Sequence, residues 1–185
     1  MLNGMAFTLA GGKATWDHAG RNGYGGAATY GSITIASGTT VTLPAGENAA
    51  MAGSMTVNGT FTSSGSNISI RNTLTVASSG IFTSNATPVQ VGSGALTDGV
   101  RLTSGTLNAP SGLMTVNGPF IANGGTTFAN NGGKVMMVTN DSFSLTPPTQ
   151  SFNDLIVNDT LEGYWKLDAA GGNTLADSSG YGRDG

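Results

Sequence analysis

The sequence predicts an all-β chain: a right-handed parallel β-helix, or β-solenoid, with loose repeats of about 20 residues. Three observations carry that expectation. Apolar residues two apart recur between Gly, Ser and Asn clusters, one short phrase returns several times, and charge is nearly missing from the middle of the chain.

The phrase is clearest in Met55-Thr56-Val57-Asn58-Gly59-Thr60-Phe61 and Met114-Thr115-Val116-Asn117-Gly118-Pro119-Phe120, which share six of seven residues at an offset of 59. Looser copies start at Ile33, Leu74, Val100 and Leu155. Apolar residues two apart share one face of a strand, and the Thr between them faces the other way. Asn-Gly or Ser-Gly then supplies positive φ at a corner. The starts at 33, 55, 74, 100, 114 and 155 give steps of 22, 19, 26, 14 and 41. The 59-residue offset is therefore read as about three coils. Ile33, Ile35, Met55, Val57, Leu74, Val76, Met114, Val116, Leu155 and Val157 are expected to point inward and to stack in rows.

Asn-Gly is also a strong hairpin signal, so an antiparallel sandwich competes. Charge decides for the solenoid. Between Ser32 and Thr97 the only ionisable side chains are Glu47 and Arg71, and Leu102–Gly133 has none. Stacked coils tolerate rows of Thr, Ser and Asn but not rows of like charge. An open sandwich usually carries Lys and Glu on its solvent face.

Composition excludes several classes. The chain has 185 residues, 30 of them Gly, with 9% charged and a net charge of −3. Its seven basic residues are scattered, so no patch invites nucleic acid or an anionic membrane. No run is long and apolar enough to span a bilayer. With no cysteine there is no disulfide framework, thiolate metal site or Cys nucleophile. Met1–Ala10 lacks the charged and apolar regions of a signal peptide, so the chain is expected to be a fragment of an exported protein.

The ends differ from the middle. Residues 1–30 hold Trp16, Tyr24, Tyr30 and the only His, and read as an N-terminal cap or partial coil. Residues 31–160 read as solenoid repeats. After Lys134 come seven of the ten acids, and Pro147-Pro148 breaks the pattern, which marks a boundary near 160.

Residues 161–185 contain Gly163-Tyr164-Trp165-Lys166-Leu167-Asp168, a Gly-rich turn, and Asp177-Ser178-Ser179-Gly180-Tyr181-Gly182-Arg183-Asp184-Gly185. This segment resembles the opening of a bacterial LamG-like, concanavalin A-like jelly-roll domain. Gln150–Asn158 resembles the last coil before such domains in large secreted bacterial proteins. The resemblance covers about the last 25 residues, too few for a complete jelly roll. It implies cell-surface display, adhesion or glycan binding. It also implies that Ca²⁺ is held by some intact jelly rolls of this kind, with Asp177 and Asp184 in the matching segment. No cofactor and no metal site is assigned to this chain.

Few residues qualify as catalytic candidates, and none is assigned a catalytic role. His18 follows Trp16-Asp17, where a carboxylate could orient a base, but a surface loop is the expected setting. There is no second His for a metal pair and no recognisable nucleophile elbow. Asp98 and Arg101 read as a surface ion pair. Gly92-Ser93-Gly94 reads as a turn, because no helix or Lys follows as a phosphate loop requires. Polysaccharide-cleaving β-helices need clustered carboxylates that the solenoid segment lacks. Thr-x-Thr occurs at Thr40/Thr42, Thr60/Thr62 and Thr73/Thr75. A flat array of that kind lets some solenoids bind ice, but spacings of 20 and 13 are expected to lose register.

The expected role is a passive stalk or spacer in a secreted or cell-surface bacterial protein, related to adhesion. A carbohydrate-binding protein acting through the C-terminal lectin-like domain is the first alternative, with glycans or cell-surface polymers as partners. A polysaccharide-cleaving β-helix is the second.

Overall fold

The computed structural model describes residues 12–15, 29–64, 67–85, 88–138, 143–145, 151–157 and 163–166, and their regular secondary structure is all strand. Two strands lead in, β1 (Gly12–Thr15) and β2 (Thr29–Tyr30). Five coils of three strands follow. The first is β3 (Ile33–Ile35), β4 (Thr39–Leu43) and β5 (Ala49–Met51). The second is β6 (Met55–Val57), β7 (Thr60–Ser63) and β8 (Ile68–Ile70). The third is β9 (Thr73–Val76), β10 (Gly80–Ser84) and β11 (Val89–Val91). The fourth is β12 (Gly99–Leu102), β13 (Gly105–Asn108) and β14 (Leu113–Val116). The fifth is β15 (Phe120–Ala122), β16 (Thr127–Ala129) and β17 (Lys134–Met137). Then come β18 (Phe143–Leu145), β19 (Asp154–Val157) and β20 (Gly163–Lys166).

Every third strand stacks on the same face. Sheet I holds β3, β6, β9, β12, β15 and β18; sheet II holds β1, β4, β7, β10, β13 and β16; sheet III holds β2, β5, β8, β11, β14, β17, β19 and β20. The coil repeats roughly every 21 residues, so the chain is a β-solenoid of about five turns. Pairing is parallel from one coil to the next, and among the described residues β20 alone runs antiparallel, on β19. Asn-Gly thus serves corners here, not hairpins.

The period-2 pattern builds the core. On sheet I, Met55, Leu74, Val100 and Phe120 stack above Ile33, and Val57, Val76, Leu102 and Ala122 stack above Ile35. On sheet III, Ile68, Val89, Met114, Val135 and Leu155 form one buried row, and Ile70, Val91, Val116 and Met137 the next, which half-buried Val157 ends. Sheet II contributes Val41, Phe61, Phe82, Leu107 and Phe128. Each fully buried apolar side chain contributes about 1.5–3 kcal/mol relative to exposure. Phe152 carries the sheet II row one coil further without a strand, with its ring 5.4 Å from Phe128 and 5.3 Å from Phe120.

Two expectations about rows need correction. Met114 and Leu155 point inward as expected, but they stack on sheet III, whereas Met55 and Leu74 stack on sheet I. The offset of 59 is therefore not a whole number of coils. Met55-Thr56-Val57-Asn58-Gly59 turns from sheet I to sheet II, and Met114-Thr115-Val116-Asn117-Gly118 turns from sheet III to sheet I. The phrase encodes strand, tight corner, strand, and a three-sided coil has more than one corner of that kind. At the first of these corners the chain runs so close to the preceding coil that a Cβ on Gly59 would collide with the carbonyl oxygens of Ala36 and Thr39.

Candidate functional site

The acid singled out in the sequence sits in the β11–β12 connection. Leu74 and Val100 are register partners 26 residues apart, so this coil is long and its excess forms a loop. Asp98 lies at the end of that loop and is 7% exposed. Its Oδ2 accepts from the Ser93 amide at 3.3 Å and from the Ser93 hydroxyl. Arg101 donates from Nη2 to the Thr97 carbonyl at 3.4 Å. The two are thus held by different partners, and Asp98 is a buried loop staple instead of half of a surface ion pair. Burial without a partner would cost a carboxylate heavily, and the Ser93 donors offset that cost.

The Gly92-Ser93-Gly94 turn has no amide to offer a phosphate. The Gly92 amide donates to Ile70 O, the Ser93 amide to Asp98, and the Gly94 amide to Asn117 O. Gly92 and Gly94 both take positive φ, at 97° and 93°, which is the turn geometry the sequence suggested. Leu96 at the loop's tip is 77% exposed.

Other charged groups are dispersed. Lys134 and Asp154, register partners on β17 and β19, approach to 3.6 Å on the surface. Among the described residues no three His, Cys, Asp or Glu side chains gather where a metal could be held. A shallow depression of about 230 Å³ lies over sheet III, lined by Gln90, Val91, Gly92, Thr115, Asn117 and Val138, none of them ionisable. His18, Asp177 and Asp184 lie outside the described residues.

One surface is regular in a way the sequence reading missed. Thr40 pairs with Thr60 and Thr42 with Thr62, in adjacent coils of sheet II. The first column continues through Ile81, Thr106 and Thr127, and the second through Thr83, Asn108 and Ala129. Thr73 and Thr75 belong to sheet I and never were part of this array. Without them the Thr-x-Thr pairs of β4 and β7 stay in register. The signal that would have found the face is the Thr-x-Thr spacing continued at one coil per step, through Ile81-Phe82-Thr83 and Thr106-Leu107-Asn108.

No family model matches the chain, and no curated protein and no solved structure matches it either.

Proposed function

We propose that this chain is a stalk or spacer segment of a secreted or cell-surface bacterial protein, serving adhesion by holding other domains away from the surface. The observation that carries the reading is the parallel strand register that runs through five coils on all three sheets, from Ile33 on β3 to Met137 on β17. Stacked coils of this kind make a rod that lengthens by about 4.8 Å per coil. Rigidity and length, set by coil number, are what a spacer requires.

The design of the test follows from register. Joining Thr73 to Val100 removes one coil and lets β12 take the place of β9 above β6. A spacer shortened in this way keeps its fold and leaves the adhesion of the host protein nearly intact. Complete loss of adhesion with the fold preserved would place a binding site in the excised coil and overturn the spacer reading.

A second reading, carbohydrate binding through a LamG-like domain that begins at residue 161, rests on the Gly-Tyr-Trp motif, which falls on β20 (Gly163–Lys166), the strand that adds antiparallel to β19. A glycan-array screen of a chain extended through the jelly roll tests it. Absence of binding to any glycan would remove it.

A further inference from the structure

From the outward face of sheet II we infer a second capacity: binding to the surface of ice. The outward positions of β4, β7, β10, β13 and β16 are Thr40 and Thr42, Thr60 and Thr62, Ile81 and Thr83, Thr106 and Asn108, Thr127 and Ala129. None of them is ionisable. The field begins at Thr40 on β4.

The geometry is a two-dimensional lattice. Neighbouring coils stand about 4.8 Å apart, and positions i and i+2 of a strand about 6.6 Å apart. Ice repeats its oxygens in two directions on this same scale. Thr is β-branched and stiff at χ1, and those on β7, β10 and β13 are hemmed by the residues above and below them. Methyl and hydroxyl groups are therefore ordered before any contact is made, and little entropy remains to be lost on binding.

The hydroxyls are also unspent. Among the described residues, no protein group hydrogen-bonds the side-chain oxygens of Thr40, Thr42, Thr60, Thr62, Thr106 or Thr127, while Thr83 accepts from Asn108 Nδ2 at 2.9 Å. A row of free, fixed hydroxyls alternating with methyls holds water in a row of its own, and such water carries hydrogen bonds nearly as good as direct ones.

Charge selects the partner. An anionic glycan, an acidic or basic peptide, or a nucleic acid finds no counter-charge on these strands. The complement of a neutral, periodic hydroxyl lattice is a neutral, periodic lattice of donors and acceptors. Sheets I and III lack the property: their outward rows mix Thr56, Thr75, Arg101 and Ile121 on the one, and Ser69, Gln90, Thr115 and Met136 on the other.

The test uses the full chain in a thermal-hysteresis and ice-shaping assay, beside sedimentation of the same samples. The wild type is expected to shape growing crystals and depress their growth temperature. Thr62→Lys, at the middle of the array, should lose most of that effect, and Thr56→Lys, facing outward on sheet I, should keep it. If Thr62→Lys misfolds by circular dichroism, Thr83→Lys decides in its place. A wild type with no hysteresis or shaping overturns the inference. So does equal loss in Thr56→Lys, or a face-to-face dimer that Thr62→Lys dissociates without any effect on ice.

Discussion

Phe61 and Phe82 stack one coil above the other, with ring centroids 5.1 Å apart and planes inclined by 23°. Both are register partners on sheet II and both are buried. The pair ties β7 to β10 through the interior, just where the hydroxyl lattice lies on the outside. Truncating Phe82 leaves a cavity between coils that stacked backbones cannot close. Phe82→Ala is expected to cost about 3–5 kcal/mol in urea unfolding. A double-mutant cycle with Phe61→Ala should show a coupling of about 0.5–1.5 kcal/mol. Additive losses would mean that the rings do not interact in solution.

Val57 is wholly buried between Ile35 and Val76 on sheet I. Val57→Asp places a carboxylate in a row of apolar neighbours. The expected loss exceeds about 4 kcal/mol, the range reserved for unpaired buried charge. A folded variant with a wild-type melting curve would show that this row is wet.

Ser63 and Ser84 oppose one another on β7 and β10, inward of the Thr lattice, and neither buried Oγ has a hydrogen-bond partner. An unsatisfied hydroxyl has already lost its water. Removing it therefore relieves a penalty of about 1–3 kcal/mol while deleting only one small atom. Ser63→Ala and Ser84→Ala are expected to be neutral or stabilising by denaturant melts. A clear loss of stability would indicate a water held between the two hydroxyls.

The same inward column explains how far the fold was legible in sequence. Alternation of Thr with Val, Ile and Met fixes which side chains face inward, and every residue expected to do so from Ile33 to Val157 is buried or half-buried. Face assignment was not legible, because Asn58-Gly59 and Asn117-Gly118 build corners that look alike locally. Only backbone pairing tells one face from another, and coil lengths vary as loops such as 92–98 are inserted. The setting of Asp98 is hidden for the same reason: its neighbour in sequence is Arg101, but its partner is Ser93 across a turn that no periodicity announces.

That turn gives a further expectation. Asp98→Ala removes the acceptor for both Ser93 donors and strands the amide. The expected loss is about 1–3 kcal/mol, with faster protease cleavage inside residues 92–98. Asp98→Asn keeps an acceptor oxygen and should recover part of the loss. Unchanged melting and cleavage in Asp98→Ala would show that the loop is held by other contacts.

The final expectation concerns the end of sheet III. Parallel stacking stops at β19, and β20 returns antiparallel, with Gly163 opposite Val157 and Lys166 opposite Asp154. A parallel solenoid offers an open strand edge at its end, and an open edge pairs with other copies unless something occupies it. Here β20 occupies the edge of β19 on sheet III. A chain cut after residue 160 keeps the stacked coils but presents Asp154–Val157 unpaired. Such a chain is expected to melt close to the full-length protein yet to self-associate with rising concentration, visible in light scattering. Its partner pairing would be strand on strand, so a Pro placed at Val157, whose amide faces away from β17, should suppress the association by removing one amide donor from the edge. A truncated chain that stays monomeric at every concentration would mean that β20 does not guard this edge.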